Sequence, residues 1–534
     1  MALISSRKKI EYPALSNQYF FVRVGKNPMK RPANFKKGNP LKIIVVAPEV
    51  APYATVGGFS RVTASLSRAL INLGHDVRLF MPKFGSIDEK KYPTQMLYEG
   101  MKVPTGDETK PELICNVKNY QPKPGTGAQV YFLENMEYYE QRANVYGYSD
   151  DPIRWALFAR GLLEFLRLSE WQPDIIHAND WHTGSVPNLL RTIYLADPKL
   201  AEIATLFTIH NLNFQGMFDH RNVSELDADD GRSAIASFFS PRLPKQNFMR
   251  RGILYADAVN TVSETYAREI LTPEFGEGLD RLLQEVRSKL FGVVNGIDYD
   301  EYNPTTDRLI PVNYDVSSLH KRVEDKKELQ KEFGLPVDPD TPILAIEGRL
   351  DKQKGLDLTL EIIRPLLRNF EVQFIALGGG DPEIADAFRK LKEDFPKQVG
   401  IHLMPNFTLP RLIFAGADIM LFPSKFEPCG IVQMEGMRYG AISVARAVGG
   451  LADTIENFDP RRNTGYGFTF KDYDKWQFFA QVVRALEAYN HKDTWRGLKK
   501  RAMTQDYSWE ASALRYIDLY EKAILFHQTV VENG

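Results

Sequence analysis

From Leu41 onward the chain repeats one unit: a short, almost wholly apolar run, a turn bearing glycine or proline, then a stretch with apolar residues on one helical face. A run of four to eight apolar residues without alternation suits a strand covered on both faces, and such strands belong to parallel sheets whose crossovers are helices. Residues 42–48 form the first such strand, leading through Gly57 and Gly58 into a helix with Val62, Leu66, Leu70 and Leu73 on one side. Further strands are predicted at 76–81, 129–133, 174–177, 204–209, 258–261 and 292–295. The rhythm then breaks over 304–340, a polar stretch holding one predicted helix, 324–333, stopped by Gly334 and Pro336. It resumes with strands at 342–347, 372–377, 401–403, 418–422 and 442–445 and a helix over 356–369.

Two such series predict two doubly wound α/β domains, and 534 residues are more than one hydrophobic core organises. Ligands of such sheets bind outside the carboxyl ends of the strands, so the expected site is the cleft between the domains. The expected divisions are a basic arm over 1–40, a first domain over 41–304, a connection over 305–340 and a second domain over 341–507. A final helix, 508–527 within the segment 508–534, is expected to pack back across the boundary. No internal repeat or low-complexity tract appears.

Charge excludes some classes of function. The net charge is −1, which gives no reason to expect nucleic acid as a partner, and no apolar run is long enough for a membrane span. Residues 1–40 carry nine Lys or Arg against the single acid Glu11. Their three serines are few for a transit peptide, so a loosely ordered basic arm is expected, with a plastid address as the alternative. Cys115 and Cys429 lie far apart without metal-ligand spacing, which suits a reducing cytoplasm better than secretion.

Three strand-end segments carry charge or glycine where a ligand would bind. Around Gly57 and Gly58 a strand gives way to a helix N-terminus, whose exposed N–H groups suit a phosphate or a sugar hydroxyl; the glycines are expected to permit a tight turn. Arg349 and Lys354 follow the strand over 342–347. A guanidinium and an ammonium there would stabilise the charge that grows on a departing diphosphate. Glu427 lies in a turn between Phe426 and Pro428, followed by Cys429, Gly430 and Ile431, whose N–H groups lead into the next helix. That acid would hydrogen-bond sugar hydroxyls or stabilise an oxocarbenium-like centre. Glu435, eight residues on, would accept bonds from ribose hydroxyls. A glycosidase with paired carboxylates is the competing chemistry, but it leaves the cations and the glycine turns without a role. His177, Asp180, His182 and His210 follow strands and are read as structural or substrate-contacting, since the histidine spacing is not that of a metal site. Asp227 and Asp229 make a weak candidate for a divalent cation, and Gly378–Gly380 reads as a turn into a helix.

Seven segments, HANDWHTG, TIHNLNFQG, VVNGID, GRLDKQKG, FEPCG, RYG and GGLADT, stand in the order and spacing of the bacterial glycogen synthase and plant starch synthase family, which the chain resembles over about residues 42–525. The resemblance implies a GT-B fold, with an acceptor-side first domain and a donor-side second one. It also implies a nucleotide-glucose donor (ADP-glucose, less often UDP-glucose) and an α-1,4-glucan acceptor extended at its non-reducing 4-hydroxyl with retention, without a metal or other cofactor. It implies that Arg349 and Lys354 bind the diphosphate and that Glu427 is the essential acid. Cys429 and Gly430 would line the glucose hydroxyls, and His210, Asp180 and Asn295 would orient that sugar.

The chain departs from the family at three places. The glycine loop, usually Lys-x-Gly-Gly-Leu with an acid in the next turn, reads Thr55-Val-Gly-Gly-Phe59 and has Arg61 at the acid's place. Glu435 stands where many members carry an aromatic residue. Arg61 is expected to supply the charge that Thr55 lacks. Two other readings compete: a retaining transferase with a small acceptor, of sucrose- or trehalose-synthase type, and a catalytically weak glucan-binding relative.

Overall fold

The computed structural model describes residues 38–123, 125–218 and 229–533. Residues 1–37 of the basic arm and Asp227 of the aspartate pair lie outside the described residues.

The first domain is a nine-stranded sheet: β1 (Lys42–Val46), β2 (Asp76–Pro82), β3 (Gln95–Pro104), β4 (Glu112–Tyr120), β5 (Gln129–Glu134), β6 (Ile175–Asn179), β7 (Ala204–Ile209), β8 (Ala258–Thr261) and β9 (Leu290–Gly292). Their spatial order is β3-β4-β5-β2-β1-β6-β7-β8-β9. The second is a six-stranded sheet, β12-β11-β10-β13-β14-β15. It comprises β10 (Ile343–Glu347), β11 (Gln373–Leu377), β12 (Val399–His402), β13 (Ile419–Phe422), β14 (Ile442–Arg446) and β15 (Phe468–Phe470). Every pairing in the second sheet is parallel. In the first, among the described residues, only β3 with β4 and β4 with β5 are antiparallel. This is the GT-B arrangement of two doubly wound domains.

The apolar runs became central strands because both of their faces are covered. Ile43, Ile44, Val45 and Val46 of β1, and Ile343, Leu344 and Ala345 of β10, are all fully buried. β3 and β4 are not among the expected strands: in β4 only Leu113, Cys115 and Val117 are buried, alternating with exposed or half-exposed neighbours. A one-sided antiparallel ribbon lacks the continuous apolar run that marks its parallel neighbours. β15, three residues long, is likewise not among the expected strands. The strand expected at 292–295 ends at Gly292, which leaves Asn295 in the loop beyond it.

Each sheet has one topological switch point, between β1 and β6 in the first and between β10 and β13 in the second. The glycine loop follows β1 and Asp180 follows β6; Arg349 and Lys354 follow β10, and Glu427 follows β13. Four of the strand-end segments therefore leave from two switch points.

The chain crosses between domains twice at one place. Ile297 N–H donates to the Tyr507 carbonyl at 2.7 Å. A Cβ on Gly296 would stand 2.6 Å from Trp509 Cα, so only glycine lets the outgoing and returning segments lie side by side. The helix Trp509–Asn533 then packs on the first domain, where the Tyr520 hydroxyl meets His177 Nδ1 at 2.9 Å and the Tyr516 hydroxyl accepts from Asn260 at 3.2 Å.

Candidate active site

The second domain builds its half of the site from two turns that touch. Gly355, with φ +67°, lies against Pro423; a Cβ there would sit 1.9 Å from the Pro423 carbonyl oxygen. Lys425 N–H donates to the Gln353 carbonyl at 2.8 Å. These backbone contacts bring Lys354 Nζ within 2.6 Å of Glu427 Oε2, and the Ser424 hydroxyl donates to the same oxygen at 3.2 Å. Glu427 is buried, whereas the Lys354 side chain keeps about a third of its surface. Arg349 is exposed and pairs with Asp351 at 3.3 Å.

A third turn fixes the Glu427 backbone. Gly450 N–H donates to the Glu427 carbonyl at 3.1 Å, and Gly449 takes φ +46°. A Cβ on Gly449 would lie 1.9 Å from that carbonyl oxygen. The same segment joins the domains. Gly449 N–H donates to both carboxylate oxygens of Glu269 at 3.1 Å, and Asp453 accepts from the Thr265 N–H and hydroxyl at 2.8 and 2.6 Å.

The first domain contributes Asp180, His210 and the glycine loop. Asp180 holds φ +59°, a strained backbone for a residue with a side chain. Its Oδ1 accepts the His210 N–H at 3.0 Å, and burial pushes its carboxyl up to about 7. His210 Nε2 lies 2.9 Å from Asn179 Oδ1. Asn179 Nδ2 donates to the carbonyls of Val46 and His177, which orients the amide and makes Oδ1 the acceptor. Nε2 therefore carries the proton and Nδ1 keeps its lone pair. Burial lowers the His210 pKa to about 3, so the ring stays neutral.

The glycine loop differs from its expected geometry. Gly57 has φ −139°, neither Gly57 nor Gly58 takes a positive φ, and a Cβ on either would meet nothing among the described residues within 4 Å. A tight turn is therefore not what glycine provides here; Gly57 and Gly58 leave space next to the helix Gly58–Asn72. The loop is held by the buried Glu49, which accepts from Val56 and Gly57 N–H at 2.5 and 3.3 Å.

The unusual residues meet across the cleft. Arg61 Nη1 lies 3.3 Å from the Tyr302 hydroxyl, and that hydroxyl also hydrogen-bonds the buried Glu435. Arg411 stacks its guanidinium 3.5 Å from the Tyr302 ring centroid. Burial, with Glu347 nearby, raises Glu435 to about 7, and burial raises Glu347 equally. Asn295 is buried, and its backbone N–H donates to the Cys429 thiol, whose pKa burial pushes up to about 12, too high for a nucleophile. Gly430, at φ +71°, and Ile431 lead into the helix Val432–Arg438.

Glu347, Glu269, Glu49 and Tyr302 were not singled out from sequence. A lone acid ending an otherwise apolar strand was the available signal for Glu347. The remaining candidates are structural. His182 stacks on Trp181 at 3.7 Å, and Asp229 is bound to Arg251. Among the described residues no group of three or more His, Cys, Asp or Glu is gathered to hold a metal. Gly378 and Gly380 do more than turn: a Cβ on either would strike the Gly348 or Leu350 carbonyl, so they let the loops after β10 and β11 touch. No helix among the described residues is long and apolar enough to cross a membrane.

The Glu435 carboxyl provides a test of this burial. An unfolded chain ionises glutamate near pH ~4.3, whereas Glu435 in the fold holds its proton to about 7. The folded state thus binds more protons in that window, and this group's contribution to stability falls as pH rises through it. Glu435→Gln should gain melting temperature relative to the parent between about pH 5 and 8. A constant difference across that range contradicts the burial.

Residues 42–285 match the starch synthase catalytic domain family, and residues 341–488 match glycosyl transferases group 1. The glycogen synthase of Moorella thermoacetica is 42% identical over 91% of this chain and 97% of its own length. That of Thermotoga maritima is 41% identical over 91% and 99%. The catalytic domain of Arabidopsis thaliana starch synthase IV, solved with ADP and acarbose, aligns with a TM-score of 0.78 at 30% identity, covering 91% of this chain and 100% of that one. A sucrose-phosphate synthase from Thermosynechococcus elongatus shares the fold, with a TM-score of 0.54 at 19% identity over 90% of this chain and 98% of that one. With two domains of this architecture and these relatives along nearly its whole length, the chain belongs to the glycogen and starch synthase family of GT-B glycosyltransferases.

Proposed function

We propose that this protein transfers glucose from ADP-glucose to the non-reducing 4-hydroxyl of an α-1,4-glucan, with retention. The observation that carries the reading is the Lys354–Glu427 pair at 2.6 Å, formed by the two turns that leave the second domain's switch point. Lys354 and Arg349 neutralise the charge growing on the diphosphate as the glycosidic bond breaks. Glu427 accepts hydrogen bonds from glucose hydroxyls while its partner ammonium turns toward phosphate. His210 offers Nδ1 as an acceptor for one further hydroxyl, and the neutral ring adds no charge against the developing oxocarbenium ion. A cavity of about 290 Å³ between the domains, lined by Asn213, Tyr266, Phe275 and Glu277 on one side and Lys425 and Phe426 on the other, receives the glucan end.

The test is incubation with glycogen and either ADP-glucose or UDP-glucose, followed by sizing and linkage analysis of the product. Chain elongation with α-1,4 bonds is expected, faster with ADP-glucose. Glucan binding without transfer from either donor overturns the proposal, and so does a disaccharide product.

Arg61 takes over the phosphate charge that Thr55 lacks, swinging from the Tyr302 hydroxyl to the donor. Losing one charge-assisted hydrogen bond costs about 1.5 kcal/mol, or roughly tenfold. Arg61→Ala should therefore raise the donor KM about tenfold, with a smaller effect on kcat. Unchanged steady-state constants reject the compensation.

A further inference from the structure

The second domain has another concave surface at the amino ends of its central strands. A groove of about 500 Å³ is bounded by the helices Arg322–Glu332 and Lys492–Met503 and by the segments ahead of β10 and β13, where Pro339 and Asp418 stand. Glu427 and Lys354 follow the carboxyl ends of β13 and β10, so a strand length separates the groove from the cleft.

Its lining carries six Lys or Arg and one carboxylate, Asp418. Asp418 is already engaged. It is buried, 2.7 Å from Lys326 Nζ and 3.8 Å from Lys499 Nζ, and it also accepts the Ile343 N–H at 3.1 Å. Arg322 is buried with its Nη2 on the carbonyls of Phe414 and Ala417, and its Nε has no hydrogen-bond partner among the described residues. Three cations thus crowd Asp418, and the other carboxylates near the cluster are Asp325, whose charge reaches Arg322, and Asp340, 3.8 Å from Lys492 Nζ at the rim. Burial, with Arg322 next in effect, lowers the Lys499 pKa to about 7, which is how a cluster short of negative charge responds.

The aromatic residues of the groove are covered by its cations. Lys492 Nζ lies 4.2 Å and Lys326 Nζ 5.3 Å from the Tyr489 ring centroid, and Lys499 Nζ lies 6.0 Å from that of Trp495. Ammonium groups, not ring faces, are what a ligand meets, so the complementary molecule is a compact anion and not a nucleobase. The volume is that of a small-molecule site.

We propose that this groove binds a small phosphate-bearing anion, inorganic phosphate or a phosphorylated sugar, at a site separate from the donor cleft. Such an anion supplies the negative charge that Arg322, Lys326 and Lys499 lack. It also ties the helix Arg322–Glu332, which follows the crossing between domains, to the helix Lys492–Met503.

Calorimetric titration of the full chain with inorganic phosphate, and separately with fructose 6-phosphate, tests this. Saturable binding is expected in the parent and in Lys354→Ala, whose change lies in the cleft. It should be weaker by about tenfold or more in Lys499→Met and in Lys492→Ala, each of which removes one ammonium donor, Lys499 taking up its proton as the anion binds. Equal affinity for the two titrants identifies the phosphate group alone as the ligand, and tighter fructose 6-phosphate identifies a sugar phosphate. Lys499→Met relieves crowding among like charges, so its melting temperature should match or exceed the parent's. Lys492 has a largely exposed side chain, so its replacement leaves the fold intact. Absence of saturable heat in the parent at millimolar titrant overturns the proposal. Binding lost in Lys354→Ala but kept in Lys499→Met also overturns it, by assigning the anion to the cleft.

Discussion

Glu427→Ala should reduce glucosyl transfer by about three orders of magnitude while the protein stays folded and still binds glucan. The size of the effect follows from where the carboxylate sits. It is buried, yet it touches Lys354, whose side chain still reaches solvent. Removing it leaves an ammonium that can turn outward, so stability suffers little. Catalysis loses both an acceptor for the sugar hydroxyls and the group that positions the diphosphate-binding lysine. The backbone at this residue is held independently, by Gly450 N–H on its carbonyl. Glu427→Gln, which keeps an acceptor but loses the charge, should fall between parent and alanine. Lys354→Ala combined with Glu427→Ala should be far from additive, because the two act as one unit. Steady-state rates of glucose incorporation into glycogen provide the measurement, with melting curves as the folding control. A loss of less than tenfold in a folded Glu427→Ala protein removes this residue from the chemistry.

The second large effect is expected at Gly449. Alanine there must adopt φ +46° and would place its Cβ 1.9 Å from the Glu427 carbonyl oxygen. The left-handed backbone alone costs roughly 1–3 kcal/mol, and the overlap adds to it unless the turn moves. Movement is the damaging outcome, because the turn carries the Glu427 backbone on one side and Glu269 of the first domain on the other. Gly449→Ala should therefore lower kcat by about a hundredfold or more and also lower the melting temperature. Alanine at Gly334, also at positive φ but with nothing within 4 Å of its Cβ, controls for the backbone term alone and should leave transfer intact. Equal behaviour of the two variants would falsify the steric argument.

Much of the fold was legible because its central strands are buried on both sides, and continuous apolar runs such as Ile43–Val46 announce this locally. The antiparallel ribbon of β3 and β4 was not, because one face meets water and the pattern thins to alternate residues. Turn-borne residues were legible for a related reason: Lys354 and Glu427 each follow an apolar strand within a few positions. The glycines around them were visible, but their purposes were not. Gly57 and Gly58 looked like turn formers and turned out to leave space, whereas Gly296, Gly355 and Gly449 proved to be close approaches between distant segments.

By itself, the sequence determined that this chain forms two doubly wound domains of a glucan-synthase family, with its candidate chemistry at the strand ends. The domains follow from local periodicity, and the family from the resemblance of short motifs in order; neither needs knowledge of which segments meet. Only the tertiary structure decided that Lys354 rests on Glu427 across 73 positions and that Arg61 reaches Tyr302 across 241. It alone decided that His210 is neutral with Nδ1 free of the proton, and that one carboxylate faces three cations at the amino ends of the second sheet's central strands. Desolvation and charge pairing depend on which groups share a small volume, and chain contacts of such long range leave no trace in local pattern.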